Sequence, residues 1–134
     1  MAENTILKEA LTGEMIEAGA QLIRRLDEMG VDVTSALWLL DTEINEWRLL
    51  LASPVVSREG PLVMYDTVER AIAQLDEGAA DILLLAMSVA PDDADLIKRL
   101  RATVHTGADI ERIRFRKNVA DGHFIEDALI YRST

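Results

Sequence analysis

The sequence predicts one α/β (α+β) domain of order αββαβαββ, a mixed five-stranded sheet with helices on both faces. Three observations carry this expectation. The runs Ala36-Leu37-Trp38-Leu39-Leu40 and Leu49-Leu50-Leu51-Ala52 are apolar on both faces, the pattern of strands covered on both sides. Stripes of helical period lie before, between and after the strand-like runs. Asp121-Gly122, a preferred central pair for a two-residue type I′ turn, separates two strand-like runs near the C-terminus. A chain of 134 residues, 49% of them hydrophobic, fits a single domain over 1–134 with a shared core.

The first helix carries the stripe Leu11, Met15, Ala18, Leu22, Leu26 and Met29. Thr12 is its candidate N-cap, with a start nearer Thr5 as the alternative, and Gly30 is its left-handed stop. Glu14 and Glu17 near its start and Arg24 and Arg25 near its end suit the helix dipole. Strands are expected at Ser35–Leu40 and Trp47–Ser53, placing Trp47 opposite Leu40. Gly60-Pro61 opens a second helix with stripe Tyr65, Val68, Ile72 and Leu75, stopped by Gly78. The apolar run Ile82–Val89 is expected as a third, buried strand. A third helix begins at Pro91-Asp92-Asp93-Ala94-Asp95, capped by an aspartate, buries Leu96, Ile97, Leu100 and Val104, and ends at Gly107.

The Asp121-Gly122 turn fixes the register of the last two strands. It sets Ala120 against His123, Lys117 against Glu126, Arg116 against Asp127, Ile113 against Ile130 and Glu111 against Arg132. Three of these pairs join opposite charges, and such pairs contribute about 0.2–1 kcal/mol each. The alternation places Ile113, Phe115, Phe124, Ala128 and Ile130 on a core face. Arg112, Arg114, Arg116 and His123, interspersed with Ile125, Asp127, Leu129 and Tyr131, fall on the other.

Composition bounds the function classes. The net charge of −10 argues against broad nucleic-acid binding, which depends on phosphate neutralisation. The absence of cysteine excludes disulfides, thiolate nucleophiles and Cys-based zinc sites. No run approaches the roughly 20 apolar residues of a membrane span, and Met1-Ala2-Glu3-Asn4 lacks the basic start of a signal peptide. The expectation is a cytoplasmic protein without a membrane partner.

The one surface singled out for ligand binding is the arginine face: Arg112, Arg114, Arg116, His123 and Tyr131. Guanidinium groups in a row suit a phosphate, a carboxylate or a nucleic-acid backbone, and Lys98, Arg99 and Arg101 enlarge the patch if the surfaces adjoin. The plainer alternative is a half-exposed sheet face whose arginines pair with Asp127 and lie over Leu129. Two acidic clusters, Asp41, Glu43 and Glu46 and then Asp92, Asp93 and Asp95, suit magnesium-dependent chemistry. A solvated turn and a helix cap account for them more simply. No metal site and no cofactor are therefore assigned. His105 and His123 form an acid–base pair only if the fold unites them. No Gly-rich phosphate loop, G-x-S-x-G elbow or H-E-x-x-H motif occurs, and Ser53-Pro54 and Ser57 have no identifiable base.

The stretches Glu46-Trp47-Arg48-Leu49…Ala52-Ser53-Pro54 and Ile113-Arg114-Phe115…Asn118-Val119…Gly122-His123-Phe124-Ile125-Glu126-Asp127-Ala128…Ile130-Tyr131-Arg132 resemble a group of small uncharacterised bacterial proteins, from about Ser35 onward. The resemblance implies a bacterial cytoplasmic protein and brings no activity, cofactor or catalytic residue. The sequence thus favours a non-enzymatic interaction or accessory module, self-associating as a homodimer or binding a protein partner, with Ile125–Tyr131 as the pairing strand if it lies at an edge. The alternatives are a phosphate- or nucleic-acid-binding protein using the arginine face, and a metal-dependent enzyme using the loop carboxylates.

Overall fold

The computed structural model describes residues 10–134; the alternative helix start near Thr5 and the segment Met1-Ala2-Glu3-Asn4 lie outside the described residues. These form α1 (Gly13–Glu28), β1 (Ser35–Asp41), β2 (Glu46–Ser53), α2 (Pro54–Glu59), α3 (Pro61–Ile72), α4 (Glu77–Ala86), β3 (Met87–Pro91), α5 (Asp95–Thr103), β4 (Ile113–Ala120) and β5 (His123–Ser133). The sheet is open and ordered β3-β2-β1-β5-β4, with β2 and β3 parallel and the other neighbours antiparallel. The α+β fold, the mixed five-stranded sheet and the C-terminal hairpin all follow the sequence reading.

The helices cover the two faces unequally. On one face, side chains of α1, α3 and α4 pack over Trp38, Leu40, Trp47, Leu49, Leu51, Leu129 and Tyr131. On the other, among the described residues, only α5 contributes buried helical side chains, Ile97 and Leu100, over Leu37, Ala52, Phe115, Ala128 and Ile130. α1 starts at the expected cap, where Thr12 Oγ1 accepts from the Met15 amide at 3.1 Å, and Gly30 beyond it is left-handed at φ 77°. Trp47 pairs with Leu40 as expected.

Several expectations before the terminal hairpin need correction. The apolar run Ile82–Val89 is a strand only from Met87; Ile82 to Ala86 complete α4. A continuous apolar run suits a helix or a strand equally, and here Ala79 and Leu83 are buried while Leu84 and Leu85 face outward, a helical spacing. Gly78 does not stop the preceding helix, because α3 ends at Ile72 and Asp76 caps a new one, its Oδ1 accepting from the Ala79 amide at 2.9 Å. Pro91 closes β3, and α5 begins at Asp95 after Ala94, without an aspartate side-chain cap. Finally, Ser53-Pro54 starts the unforeseen α2, with Ser53 Oγ accepting from the Val55 amide at 3.1 Å and proline in the first turn.

The terminal hairpin keeps its expected register yet exchanges its faces part-way. Asp121 and Gly122 both have positive φ, 46° and 84°, as a type I′ turn requires. Ala120–His123, Arg116–Asp127 and Ile113–Ile130 pair as expected. The ladder skips Lys117 opposite Glu126, and Lys117 itself sits at φ 44°. Beyond that irregularity Ile125 turns into the α5 core while Phe124, expected inside, is 57% exposed. Glu111 does not meet Arg132 as a charge pair: the buried Arg132 forks onto Asp27 at 2.8 and 3.0 Å and donates to the Val33 carbonyl. β5 lies between β1 and β4, so it is not a free edge; the edges are β3 and β4.

Candidate binding groove and the arginine face

The residues expected to bind an anion are drawn into ion pairs and the core. Arg112 Nη2 donates to Glu17 Oε2 at 2.8 Å, and Arg24 approaches the same carboxylate at 3.9 Å. Arg114 grips Asp127 with two hydrogen bonds of 2.7 Å each, and Arg116 reaches the same carboxylate at 3.5 Å. This is the bidentate geometry that guanidinium and carboxylate favour. The Arg114 guanidinium also lies 5.6 Å from the centre of the Trp47 ring, within cation–π range. Bonding to Arg112, with its charge, holds the Glu17 carboxyl below its usual range, and bonding to Asp127 raises the Arg114 guanidinium above its own.

Tyr131 is fully buried beneath α1. Its hydroxyl donates to the Ile16 carbonyl at 2.5 Å and accepts from Trp38 Nε1 at 2.9 Å. Burial pushes its ionisation upward, with the Trp38 bond pulling less strongly the other way. Gly19 makes this contact possible, because a Cβ there would stand 2.4 Å from the Tyr131 oxygen. Tyr131 therefore fixes α1 to the sheet, leaving Arg112, Arg114 and Arg116 as the exposed part of the row.

The basic residues of α5 do not extend that row. Arg114 lies over Trp47 on the α1 side of the sheet, whereas α5 packs on the opposite face. Arg99 bonds Asp95 at 2.9 Å and also donates to the Asp121 carbonyl, tying the hairpin tip to α5. Arg101 donates to the carbonyls of Thr134 and Asp92 at 2.7 and 2.8 Å.

The acidic clusters fill local roles. Asp41 Oδ1 accepts from the Glu43 amide at 3.0 Å within the β1–β2 turn, and Asp92 accepts from Ser57 Oγ at 2.9 Å. Among the described residues, no three histidine, aspartate or glutamate side chains gather as a metal site. His105 is exposed after α5, and His123 begins β5 at the hairpin turn.

A groove of about 730 Å³ lies on the sheet face that α5 covers incompletely. Its lining comes from four strands and the β1–β2 turn. Leu39, Leu50 and Ile125 supply apolar lining, Ser88 comes from β3, and Phe124 is exposed at the hairpin end. Asp41, Glu43 and Glu126 contribute carboxylates, while Arg48 and His123 add basic groups. A groove of this volume with apolar lining and a few polar groups is the usual form of a binding site.

Of the sequence-predicted site residues only His123 lines this groove; Arg112, Arg114, Arg116 and Tyr131 do not. Leu39 and Leu50 are the sequence signal for this groove, since strands apolar on both faces call for cover that, among the described residues, no second helix on that face supplies. Among the described residues no helix is long and apolar enough to cross a membrane. Compared with protein-family models, with curated proteins and with solved structures, the chain matches none.

Proposed function

We propose that this chain is a non-enzymatic interaction module, a bacterial cytoplasmic protein that binds a protein partner through the groove beside α5. The observation that carries the reading is a half-covered sheet face. Leu39 and Leu50 are only partly buried there, and Phe124 is 57% exposed at its margin. Exposed apolar surface framed by charged groups marks interaction sites on folded proteins. The arginine row supports the anion-binding alternative less well, since Glu17 and Asp127 already occupy its guanidinium groups. Pairing of two copies through β5 is not part of the proposal, because that strand has a neighbour on each side.

The test places a photo-crosslinking amino acid at position 124 and, as a control, at the exposed position 58 on α2. A defined protein adduct at 124, absent at 58 and lost in Leu50→Lys protein of unchanged fold, supports the reading. Equal labelling at both positions, or adducts indifferent to Leu50→Lys, overturns it.

A further inference from the structure

The reading of the groove as a protein-binding surface can be taken to the chemistry of its occupant, and the following inference rests on that reading. We infer that the groove is a seat for a cationic amphipathic helix of a partner protein.

Five strands at a spacing of about 4.8 Å set the outer strands roughly 19 Å apart. A helix with its side chains is about 10 Å wide, so one face has room for two. Helices α1, α3 and α4, with Val56 of α2, bury side chains on the opposite face, whereas among the described residues α5 alone does so on this one. Its closest contacts are with β4 and β5, and Ile97 and Leu100 reach Leu37 of β1 and Ala52 of β2. The groove lies beyond these contacts, lined by Leu39 of β1, Leu50 of β2, Ser88 of β3 and the hairpin end of β5 from His123 to Glu126. The uncovered part of the face spans β1, β2 and β3 and reaches the hairpin end of β5, room for one more helix next to α5.

Charge defines the kind of helix. Asp41, Glu43 and Glu126 outnumber Arg48 and His123 around the groove, on a chain of net charge −10. An acidic surface steers cationic partners toward it and repels acidic ones, a second copy of this chain among them. The resident helix on this face has the same character: α5 turns Ile97 and Leu100 inward and carries Lys98, Arg99 and Arg101. The partner segment fits as a helix with apolar residues at i, i+3 or i+4, and i+7, and with lysine or arginine flanking that stripe. Phe124 at the groove margin offers an aromatic anchor of the type found in interface hot spots.

The experiment is a selection from a phage-displayed library of random peptides of about 14 residues, roughly four helical turns, against the full chain. Enriched peptides are then synthesised and measured by fluorescence anisotropy against wild type, Phe124→Ser and the double variant Glu43→Lys/Glu126→Lys. These residues lie at the groove margin or turn, and thermal melts verify that each variant folds. The expected result is a basic, amphipathic consensus whose affinity falls about tenfold or more in the charge-reversed protein and declines with added salt. Enrichment of acidic or non-amphipathic peptides that still lose affinity in Phe124→Ser overturns the cationic helix while leaving the binding-module reading standing. Peptides indifferent to all groove variants, or no enrichment at all, overturn both. Sedimentation showing a dimer that dissociates in Phe124→Ser makes the occupant a second copy and overturns the inference as well.

Discussion

Replacing Gly19 with alanine tests how α1 is fixed to the sheet, and a double variant separates the causes. The added Cβ would lie 2.4 Å from the Tyr131 oxygen, 2.9 Å from Trp38 Nε1 and 3.0 Å from Tyr131 Cε2, where carbon contacts settle near 3.5–4.0 Å. Alanine gains about 1 kcal/mol over glycine in helix propensity. Against that stand overpacking of about 1–3 kcal/mol and weakening of the Tyr131 hydrogen bonds to Ile16 and Trp38, each about 1 kcal/mol. The net expectation is a loss of about 2–3 kcal/mol. Tyr131→Phe alone leaves the buried Trp38 N–H without the partner it has now and loses about 1–3 kcal/mol. In the double variant the oxygen nearest the new Cβ is gone, so the combined loss falls short of the sum by about 1 kcal/mol or more. Urea unfolding followed by fluorescence of the two buried tryptophans measures all three differences. Additivity within about 0.5 kcal/mol, or a Gly19→Ala protein more stable than wild type, would refute the packing argument.

Three further outcomes follow from the same geometry. The Tyr131 ionisation in the folded chain lies above its ordinary value of 10.0 because of burial; its contribution is therefore complete below that value and lost as pH rises beyond it. Urea midpoints are expected to fall above about pH 10, less steeply in Tyr131→Phe, and equal slopes in the two proteins contradict this. Asp127→Asn removes the charge that Arg114 and Arg116 share and is expected to destabilise by about 1–2 kcal/mol, discounted for the exposure of the arginines. A midpoint insensitive to the substitution would show that the fork contributes nothing. Lys117, at φ 44°, holds a conformation that costs a non-glycine residue about 1 kcal/mol; Lys117→Gly is expected to raise the unfolding midpoint, and a lowered midpoint counts against backbone strain there.

The hairpin was legible because its turn chemistry is local. Asp121-Gly122 specifies positive φ at both positions, and that fixes the pairing on either side. The exchange of faces at Lys117 was not legible, since lysine has no local signature for positive φ and the cause is the docking of Ile125 against α5. The same limit applies at Ile82–Ala86, where an apolar run fits helix or strand and packing against α1 and β2 decides. Asp76 and Ser53-Pro54 were signals that could have been read, as each carries the cap chemistry found in the structure. For the candidate site, the arginine row followed from alternation, but Glu17 comes from α1, far away in sequence, and only tertiary structure shows that pairing. The groove depends on which strands α5 covers, a matter of layer placement that no local pattern encodes.

The most direct test of the account is a titration of isotopically labelled protein with a selected peptide, followed by amide chemical shifts. Shifts concentrated at Leu39, Leu50, Ser88, Phe124 and Ile125 are the result expected of an open helix seat. Shifts confined to Arg112, Arg114 and Arg116, or to the exposed Leu84 and Leu85 of α4, would contradict it.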